Sequence, residues 1–275
     1  EIAAGGSSTL SNPAFAPTTS ELKKFDFVVA NPPFSTKSWQ NGFAKDEQKN
    51  IICDPYSRFD YGLPPSQNGD YAFLLHIISS LKSTGNGAVI LPHGVLFRGN
   101  AEGNIRREVI KRGYIKGVIG LPANLFYGTG IPACIIVLDK SHAASRKSIF
   151  MIDASSGFIK DGNKNRLRSR DIHKIVSVFT KKIEIKGFSR MVPISEIIDP
   201  KNDHNLNLPR YIESVNKDDI HDLRAHLNGG IPKRDIDQLQ SYWNVFSSMR
   251  EALFQKDISP VSYTHLRAHE TLRYL

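Results

Sequence analysis

The segment Asn31-Pro32-Pro33-Phe34, within "FDFVVANPPFSTKSW", combines residue types that can hold a planar amine. Two consecutive prolines fix the backbone φ angle and remove two hydrogen-bond donors, so the segment presents carbonyl groups with little conformational freedom. Asn31 precedes a proline and is therefore held in an extended conformation. Its side-chain oxygen and the carbonyl of Pro32 then offer two acceptors for an exocyclic amine, and Phe34 offers a flat face for the ring that carries the amine.

Such an arrangement would help an aromatic amine to act as a nucleophile. The nitrogen is a poor nucleophile because its lone pair is delocalised into the ring. Two fixed acceptors orient the amine and stabilise the positive charge that develops on nitrogen as it attacks an electrophile. The alternative is a strand that ends in a tight turn, with Phe34 packed in the core. The asparagine before the prolines and the aromatic residue after them favour the amine site.

Hydrophobic periodicity predicts the elements that position this segment. The apolar run at 25–30 predicts a short strand that is buried on both faces of a sheet. Four more strands are predicted at 87–92, 115–122, 133–140 and 148–155. Two helices are predicted at 70–83 and 102–113, the first with Asp70 as its N-cap and the second with Gly113 at its C′ position. Spacing too short for a crossover helix predicts that the third and fourth strands are antiparallel.

The predicted sheet is mostly parallel, and in such sheets ligands bind beyond the carboxyl ends of the strands. This rule places three segments at one edge: "NPPF", "LPHG" (91–94) and "LPANLFYGTG" (121–130). At the same edge, His93 is expected either to touch a substrate or to cap a loop. Arg98 is expected either to meet a phosphate or to form a surface ion pair. The long irregular stretch 35–69 is typical of a functional loop.

The composition favours an anionic partner. The chain of 275 residues has 36 Lys and Arg against 27 Asp and Glu, a net charge of +9, which favours nucleic acid before membrane. The alternative is a soluble protein that is basic without an anionic partner. A basic run at 160–182 is expected to contact a nucleic-acid backbone or to form a solvated helix face. The two cysteines form no metal-type pattern, and no stretch is long enough to span a membrane. We therefore expect a cytoplasmic protein without a metal site.

The segment "DFVVANPPF" resembles the catalytic motif of S-adenosylmethionine-dependent amino-methyltransferases, which modify adenine N6, cytosine N4 or a glutamine amide. From about residue 8 to residue 255, the chain also resembles the modification subunit of type I restriction–modification systems. The segments that carry this resemblance are "DYAFLLHIISSL", "GAVILPHGVLFRG", "IRREVIKRGYIKGVIGLPANLFYGTGIPACIIVLDK", "IFMIDAS", "NLNLPRYI" and "LNGGIPKRDIDQL".

The resemblance implies an α/β, Rossmann-like methyltransferase sheet whose N-terminal strands are missing, with a C-terminal helical appendage. It implies methyl transfer from S-adenosyl-L-methionine to N6 of an adenine flipped out of double-stranded DNA. The implied partners are a specificity subunit and a restriction subunit. By the same resemblance, Asn31 and Pro32 hold the amino group, Pro33 completes the motif and Phe34 stacks on the base. Phe126 or Tyr127 packs on its other side, unless these rings serve only hairpin packing.

The cofactor site departs from the family pattern. Relatives bind the cofactor through a glycine-rich loop and an acidic residue, neither of which occurs in this chain, and a third contact falls at Ser8, where Asp is expected. Asn31 is the remaining cofactor contact. We therefore expect a fragment that is inactive in isolation. Its expected parts are the catalytic half of the methyltransferase domain (1–155), a basic extension (156–214), a helical region (215–259) and a non-native tail (260–275).

Two rival interpretations stay open at this point. The target amine could be a protein glutamine, although enzymes of that kind typically carry Tyr after the two prolines, where this chain has Phe34. The chain could also be a scaffold that binds DNA and partner subunits without turnover. The missing cofactor loop favours this second rival for the fragment itself.

Overall fold

The protein consists of two compact units, residues 1–215 and 216–275. In this computed structural model, the described residues are 10–13, 21–47, 51, 54–213, 231–246, 248–256 and 263–266. The first unit is a mixed α/β structure built on a six-stranded sheet with the order β1-β2-β4-β3-β5-β8. These strands are β1 (Phe25–Ala30), β2 (Leu81–Pro92), β3 (Ile115–Gly120), β4 (Ala133–Asp139), β5 (Ser148–Asp153) and β8 (Ser189–Pro193).

The sheet contains two parallel pairs separated by an antiparallel strand. β1 is parallel to β2, and β3 is parallel to β5, whereas β4 lies between β2 and β3 and is antiparallel to both. β8 closes the far side of the sheet antiparallel to β5. The predicted antiparallel pairing of β3 and β4 is confirmed, and β4 joins the two halves of the sheet.

Helices connect the parallel strands. α1 (Asp70–Ser80) leads into β2, and α2 (Asn100–Lys111) leads into β3. α1 is buried almost all round, which matches its apolar sequence, and it packs with the strands in the main hydrophobic core. Gly113 follows α2 with φ +70°, as predicted for the C′ position, and a Cβ there would lie 2.2 Å from the carbonyl oxygen of Ala143.

The boundary between α1 and β2 differs from the prediction. α1 ends at Ser80 rather than at residue 83, and β2 begins at Leu81 rather than at residue 87. Leu81 pairs with Phe25, but the next pair is Phe27 with Asn86, so the polar segment between them bulges out of the ladder. A polar stretch inside a strand resembles a turn in sequence, which explains the misplaced start.

Burial of β1 on both faces is not observed. The side chain of Phe27 is 77% exposed and that of Val29 is 81% exposed. β1 lies at the edge of the six-stranded sheet, and no described residue pairs with its outer side. The apolar run therefore predicted the strand correctly but did not predict which of its faces is covered.

The rest of the first unit consists of the hairpin β6–β7 (Ile159–Asp161 and Lys164–Arg166), α3 (Ser169–Lys181) and α4 (Ile194–Ile198). In the second unit, the described residues form three short helices and a small antiparallel sheet. The helices span Lys233–Asp237, Gln240–Val245 and Met249–Leu253, and the strands span Ile231–Pro232, Phe254–Lys256 and Tyr263–Leu266. The segment expected to be a non-native tail thus contributes one strand. None of the described helices is long and apolar enough to cross a membrane.

Candidate active site

The loops that follow β1, β2 and β3 lie at one edge of the sheet. Ala30 pairs with Val89, three residues before the end of β2. Ala133, at the start of β4, pairs with Pro92 at the end of β2, and the next residue of β4 pairs with the last residue of β3. The three segments predicted to share the carboxyl edge therefore do share it.

Asn31 directly follows β1 and is exposed at this edge, whereas Pro32 behind it is buried. Neither the Asn31 side chain nor the Pro32 carbonyl forms a hydrogen bond with another described residue. The carbonyl of Pro33, by contrast, accepts a hydrogen bond from Thr36 Oγ1 at 3.1 Å. The buried ring of Pro32 holds the turn in place. The Asn31 side-chain oxygen and the Pro32 carbonyl oxygen can then accept hydrogen bonds from a ligand.

The aromatic ring that follows the prolines contacts the loop between β3 and β4. Phe34 and Phe126 are both partly buried, and their ring centroids lie 5.4 Å apart at an interplanar angle of 68°, an edge-to-face contact. Tyr127, the next residue, is 93% exposed. Of the two aromatic residues singled out in this loop, only Phe126 contacts Phe34.

Asp70 positions the residue that follows Phe34. Its carboxylate is fully buried and accepts the backbone N–H of Ser35 at 2.7 Å. Ser35 has φ +50°, an unfavourable conformation for a residue with a Cβ, so this hydrogen bond holds a strained turn in place. Gly69 occupies the N-cap position of α1, and Asp70 is the first residue of the helix. The prediction that Asp70 caps the helix is therefore wrong, because its side chain turns to the loop instead.

The buried charge of Asp70 is balanced by Arg98, which follows β2. Arg98 Nη1 donates to Asp70 at 2.9 Å and to Glu102 in α2 at 3.2 Å. Burial raises the pKa of the Glu102 carboxyl, and the guanidinium of Arg98 opposes that shift. Arg98 does form an ion pair, but with carboxylates that are buried and not on the surface as expected. Arg98 and Glu102 lie four residues apart, but the sequence gives no signal that Asp70, 28 residues before Arg98, joins them.

Two buried polar contacts hold the long loop after the motif, one within the loop and one to α1. Trp39 is fully buried and donates from Nε1 to the carbonyl of Pro65 at 2.8 Å. Arg58 is also fully buried, pairs with Asp54 at 2.6 Å and donates to Nδ1 of His76 in α1 at 3.1 Å. The loop is irregular, as predicted, but its shape is specified by these buried polar contacts.

His93 follows β2 beside the motif. Its backbone N–H donates to the carbonyl of Pro132 at 2.9 Å, and its ring packs edge-on against Phe97. Burial lowers the pKa of His93, with Asp153 opposing, so the imidazole is neutral near pH 7. Nε2 of this ring is buried without a hydrogen-bond partner among the described residues. These contacts leave both expectations for the side chain open.

The basic run of 160–182 is divided between the two edges of the sheet. At the start of α3, Asp171 lines a cavity of about 380 Å³ with Asp153, the last residue of β5. Near the end of α3, Phe179 contacts Phe150 in the first half of β5. Lys182 therefore lies at the edge opposite Asn31. The run is one stretch in sequence and two separate groups in space.

Ser8, the doubtful cofactor contact, lies outside the described residues, as does Cys53. Within the described ranges, no group of three or more His, Cys, Asp or Glu side chains has an arrangement that could hold a metal ion.

Comparisons with known proteins identify relatives that share this organisation. The chain is 35% identical over 208 residues to the type I restriction enzyme MjaVII methylase subunit of Methanocaldococcus jannaschii, covering 74% of this chain and 35% of the relative. It is 32% identical over 201 residues to the MpnII methylase subunit of Mycoplasma pneumoniae, covering 73% of this chain and 36% of the relative. The chain thus spans about a third of the length of these curated relatives.

A solved structure is also similar to this chain. The type I restriction-modification system methyltransferase subunit from Streptococcus thermophilus superposes with a TM-score of 0.64 and 38% identity, covering 75% of this chain and 41% of that chain. The predicted resemblance and fold class are confirmed by these relatives. A sequence model of the N-6 DNA methylase family matches residues 1–220. The chain belongs to the N-6 DNA methylase family.

Proposed function

We propose that this chain carries the amine-binding half of an adenine-N6 DNA methyltransferase, the modification subunit of a type I restriction–modification system. The observation that carries the proposal is a pair of acceptors at the end of β1, the Asn31 side chain and the Pro32 carbonyl, which lie beside Phe34 and have no hydrogen-bond partner among the described residues. Family membership and the names of the relatives support the substrate class.

The N6 amino group of adenine fits two acceptors because it carries two hydrogens in the plane of the base. Accepting both hydrogens orients the nitrogen lone pair toward the methyl donor and stabilises the positive charge that develops on N6. Phe34 supplies a stacking face for the purine. The target adenine must leave the duplex to reach these groups, since N6 is paired in double-stranded DNA.

The methyl donor we propose is S-adenosyl-L-methionine, which supplies an electrophilic sulfonium methyl group. The described residues fit the acceptor side of such a transfer. They do not include the glycine-rich loop and the acidic residue that the family resemblance implies for the donor. Asn31, at the tip of β1, is the described residue that we expect to lie nearest the donor.

The contact between Phe34 and Phe126 constrains how a base enters. A base sandwiched between two parallel rings needs a separation of about 7 Å, twice the contact distance of about 3.5 Å. The observed centroid separation is 5.4 Å and the rings are not parallel. We therefore infer that Phe126 moves away from Phe34 when a base binds, and that it then covers the second face of the base.

Double-stranded DNA is the proposed substrate, and a specificity subunit and a restriction subunit are the proposed partners. The net charge of +9 supports an anionic partner. A separate specificity subunit would read the DNA sequence, so no base-reading element is assigned to this chain. We also propose the division into a catalytic part (1–155), a basic extension (156–214), a helical region (215–259) and a tail (260–275).

The test is methyl transfer by the full-length gene product purified with its specificity subunit. Labelled S-adenosyl-L-methionine is supplied with plasmid DNA, and the labelled nucleosides are identified after digestion. We expect N6-methyladenine from the wild-type protein and at least a hundredfold loss with Asn31→Ala. The matched control is Asn104→Ala, which removes an exposed asparagine from α2 and is expected to keep full activity.

Three results would contradict the proposal. Unchanged transfer by Asn31→Ala would remove the role assigned to the motif. Label that appears in protein rather than in DNA would favour a glutamine amide as the target. Cofactor binding in an intact complex without any transfer would favour the scaffold.

A further inference from the structure

The loop between β3 and β4 depends on the hairpin β6–β7 for its shape. The loop has no helix or strand of its own, so its backbone carbonyls need partners from elsewhere. Two consecutive residues of β7, Lys164 and Asn165, supply those partners. Together they donate four hydrogen bonds to four loop carbonyls, which belong to Ala123, Asn124, Phe126 and Thr129.

Lys164 donates hydrogen bonds to the loop on both sides of its tip. Its ammonium group donates to the carbonyl of Phe126 at 2.7 Å and to the carbonyl of Thr129 at 3.0 Å. No carboxylate of the described residues forms a salt bridge with it. A half-buried ammonium that is held by two carbonyls is engaged with the backbone of the loop, and it is therefore not available as a simple phosphate contact.

Asn165 fixes the base of the same loop. The side chain is 94% buried, and Nδ2 donates to the carbonyl of Ala123 at 2.7 Å. Its backbone N–H donates to the carbonyl of Asn124 at 2.9 Å, and Asn124 itself adopts a left-handed conformation with φ +57°. The base and the tip of the loop are thus both fastened to β7, while the side chain of Tyr127 projects into solvent.

We propose that the hairpin β6–β7 is a brace for the loop that carries Phe126, and that Lys164 is the positioning residue that sets where Phe126 lies relative to Phe34. The role of Phe126 in holding a base rests on the proposed function; the brace itself rests only on the four hydrogen bonds. Lys164 acts through the loop backbone and does not contact the base.

Hydrogen–deuterium exchange on the 275-residue chain without DNA tests the brace directly. We expect Lys164→Met to speed amide exchange at least tenfold at Asn124 and Asn165, with exchange in β3 and β4 unchanged. Lys164→Arg keeps a donor and is expected to restore most of the protection. Lys160→Met is the matched control, because Lys160 is an exposed cation of the same hairpin that lies over Phe158 and not on the loop.

A second variant tests the same proposal if Lys164→Met does not fold. Asn165→Leu preserves the side-chain volume and removes the Nδ2 donor, so we expect the same faster exchange at Asn124. Unchanged exchange in both folded variants would overturn the brace. This measurement needs no activity, so its outcome is independent of whether the protein methylates DNA.

The second arm uses the full-length protein with its specificity subunit. Methyl transfer is measured on DNA with adenine at the target position, and base flipping is measured separately by binding to DNA that carries 2-aminopurine there, a fluorescent base without the N6 amino group. With Lys164→Met we expect kcat to fall at least tenfold while KM for DNA changes less than twofold, and the fluorescence of the flipped base to decrease. A phosphate contact would instead raise KM and weaken its salt dependence. That result would overturn the positioning role.

Discussion

Asp70, the first residue of α1, accepts the backbone N–H of Ser35 at 2.7 Å, so a helix terminus holds the turn that directly follows Phe34. The same carboxylate binds Arg98 from the loop after β2. Two of the three loops at the carboxyl edge are therefore fastened to one buried charge. The backbone is thus constrained on both sides of Phe34, by the two prolines before it and by the Asp70 contact after it.

Asp70→Asn is expected to lower the free energy of unfolding by about 2–3 kcal/mol, because it removes one charge of a buried ion pair. The loss is not larger because Glu102 still pairs with Arg98. The matched control is Asp26→Asn, which breaks the exposed pair with Lys82 and should cost less than about 1 kcal/mol. Urea unfolding midpoints of the two variants measure the difference. Equal midpoints would show that the buried carboxylate of Asp70 contributes no more to stability than the exposed carboxylate of Asp26.

Phe126→Ala is expected to reduce methyl transfer by about ten- to a hundredfold in the full-length complex, because base stacking on an aromatic ring contributes about 1–3 kcal/mol. Tyr127→Ala should change transfer less than threefold, since its ring lies in solvent away from Phe34. Initial rates with labelled cofactor compare the two. The reverse ranking would assign the second face of the base to Tyr127.

Acid should destabilise the protein through His76. Burial in α1, with Arg58 nearby, lowers its pKa to about 4, and Arg58 donates to Nδ1, which must accept and is therefore unprotonated. The pKa of His76 in the folded state lies below its unfolded value of 6.5. The neutral His76 therefore contributes to the free energy of unfolding at neutral pH, and this contribution is lost as the pH falls from 6.5 toward 4. Between pH 7 and pH 4.5 this loss is on the order of 2 kcal/mol.

The check is urea unfolding at both pH values for the wild type and for His76→Gln, whose side-chain oxygen can still accept from Arg58 without titrating. Carboxylates also titrate in this range, so the informative quantity is the difference between the two proteins. A variant that loses as much stability as the wild type would contradict the assignment to His76.

Salt dependence should separate the two ends of α3. Arg170, exposed at the start of the helix near the carboxyl edge, is expected to contact a DNA phosphate. Arg170→Gln should therefore lower the magnitude of the negative slope of log K against log salt by about 0.9. Lys181→Gln, at the other end of the same helix, should leave the slope unchanged. Fluorescence anisotropy with duplex DNA over a salt series measures both. Equal decreases would mean that the whole basic run binds DNA.

The elements and the meeting of the three loops were predictable because both depend on local patterns. An apolar run followed by Asn-Pro-Pro defines where β1 ends, and a short connection defines that β3 and β4 are antiparallel. The general rule for the carboxyl ends of parallel strands then brings Asn31, His93 and Phe126 to one edge without any knowledge of side-chain contacts.

The contacts that position the site were not predictable, because the partners lie far apart along the chain. Asp70 has the sequence signature of a helix cap, but a buried backbone N–H and a guanidinium compete successfully for its carboxylate. Lys164 has the signature of a phosphate contact within a basic run, yet the carbonyls of an irregular loop take up its ammonium group. In both cases the tertiary partner decides the role of a residue whose type alone suggested another.

The position of β1 at the edge of the sheet has a consequence for Asn31 itself. Strands that are hydrogen-bonded on one side open locally at a lower free energy than strands bonded on both sides. In the described part of the chain, β1 is paired with β2 alone, and Asn31 is its direct continuation. In the described residues, the residue proposed to bind the amine therefore continues one of the two edge strands of the sheet. Any ligand or segment that forms hydrogen bonds with the outer side of β1 would therefore reduce the local opening of β1 and hold Asn31 more firmly in place, without contacting Asn31.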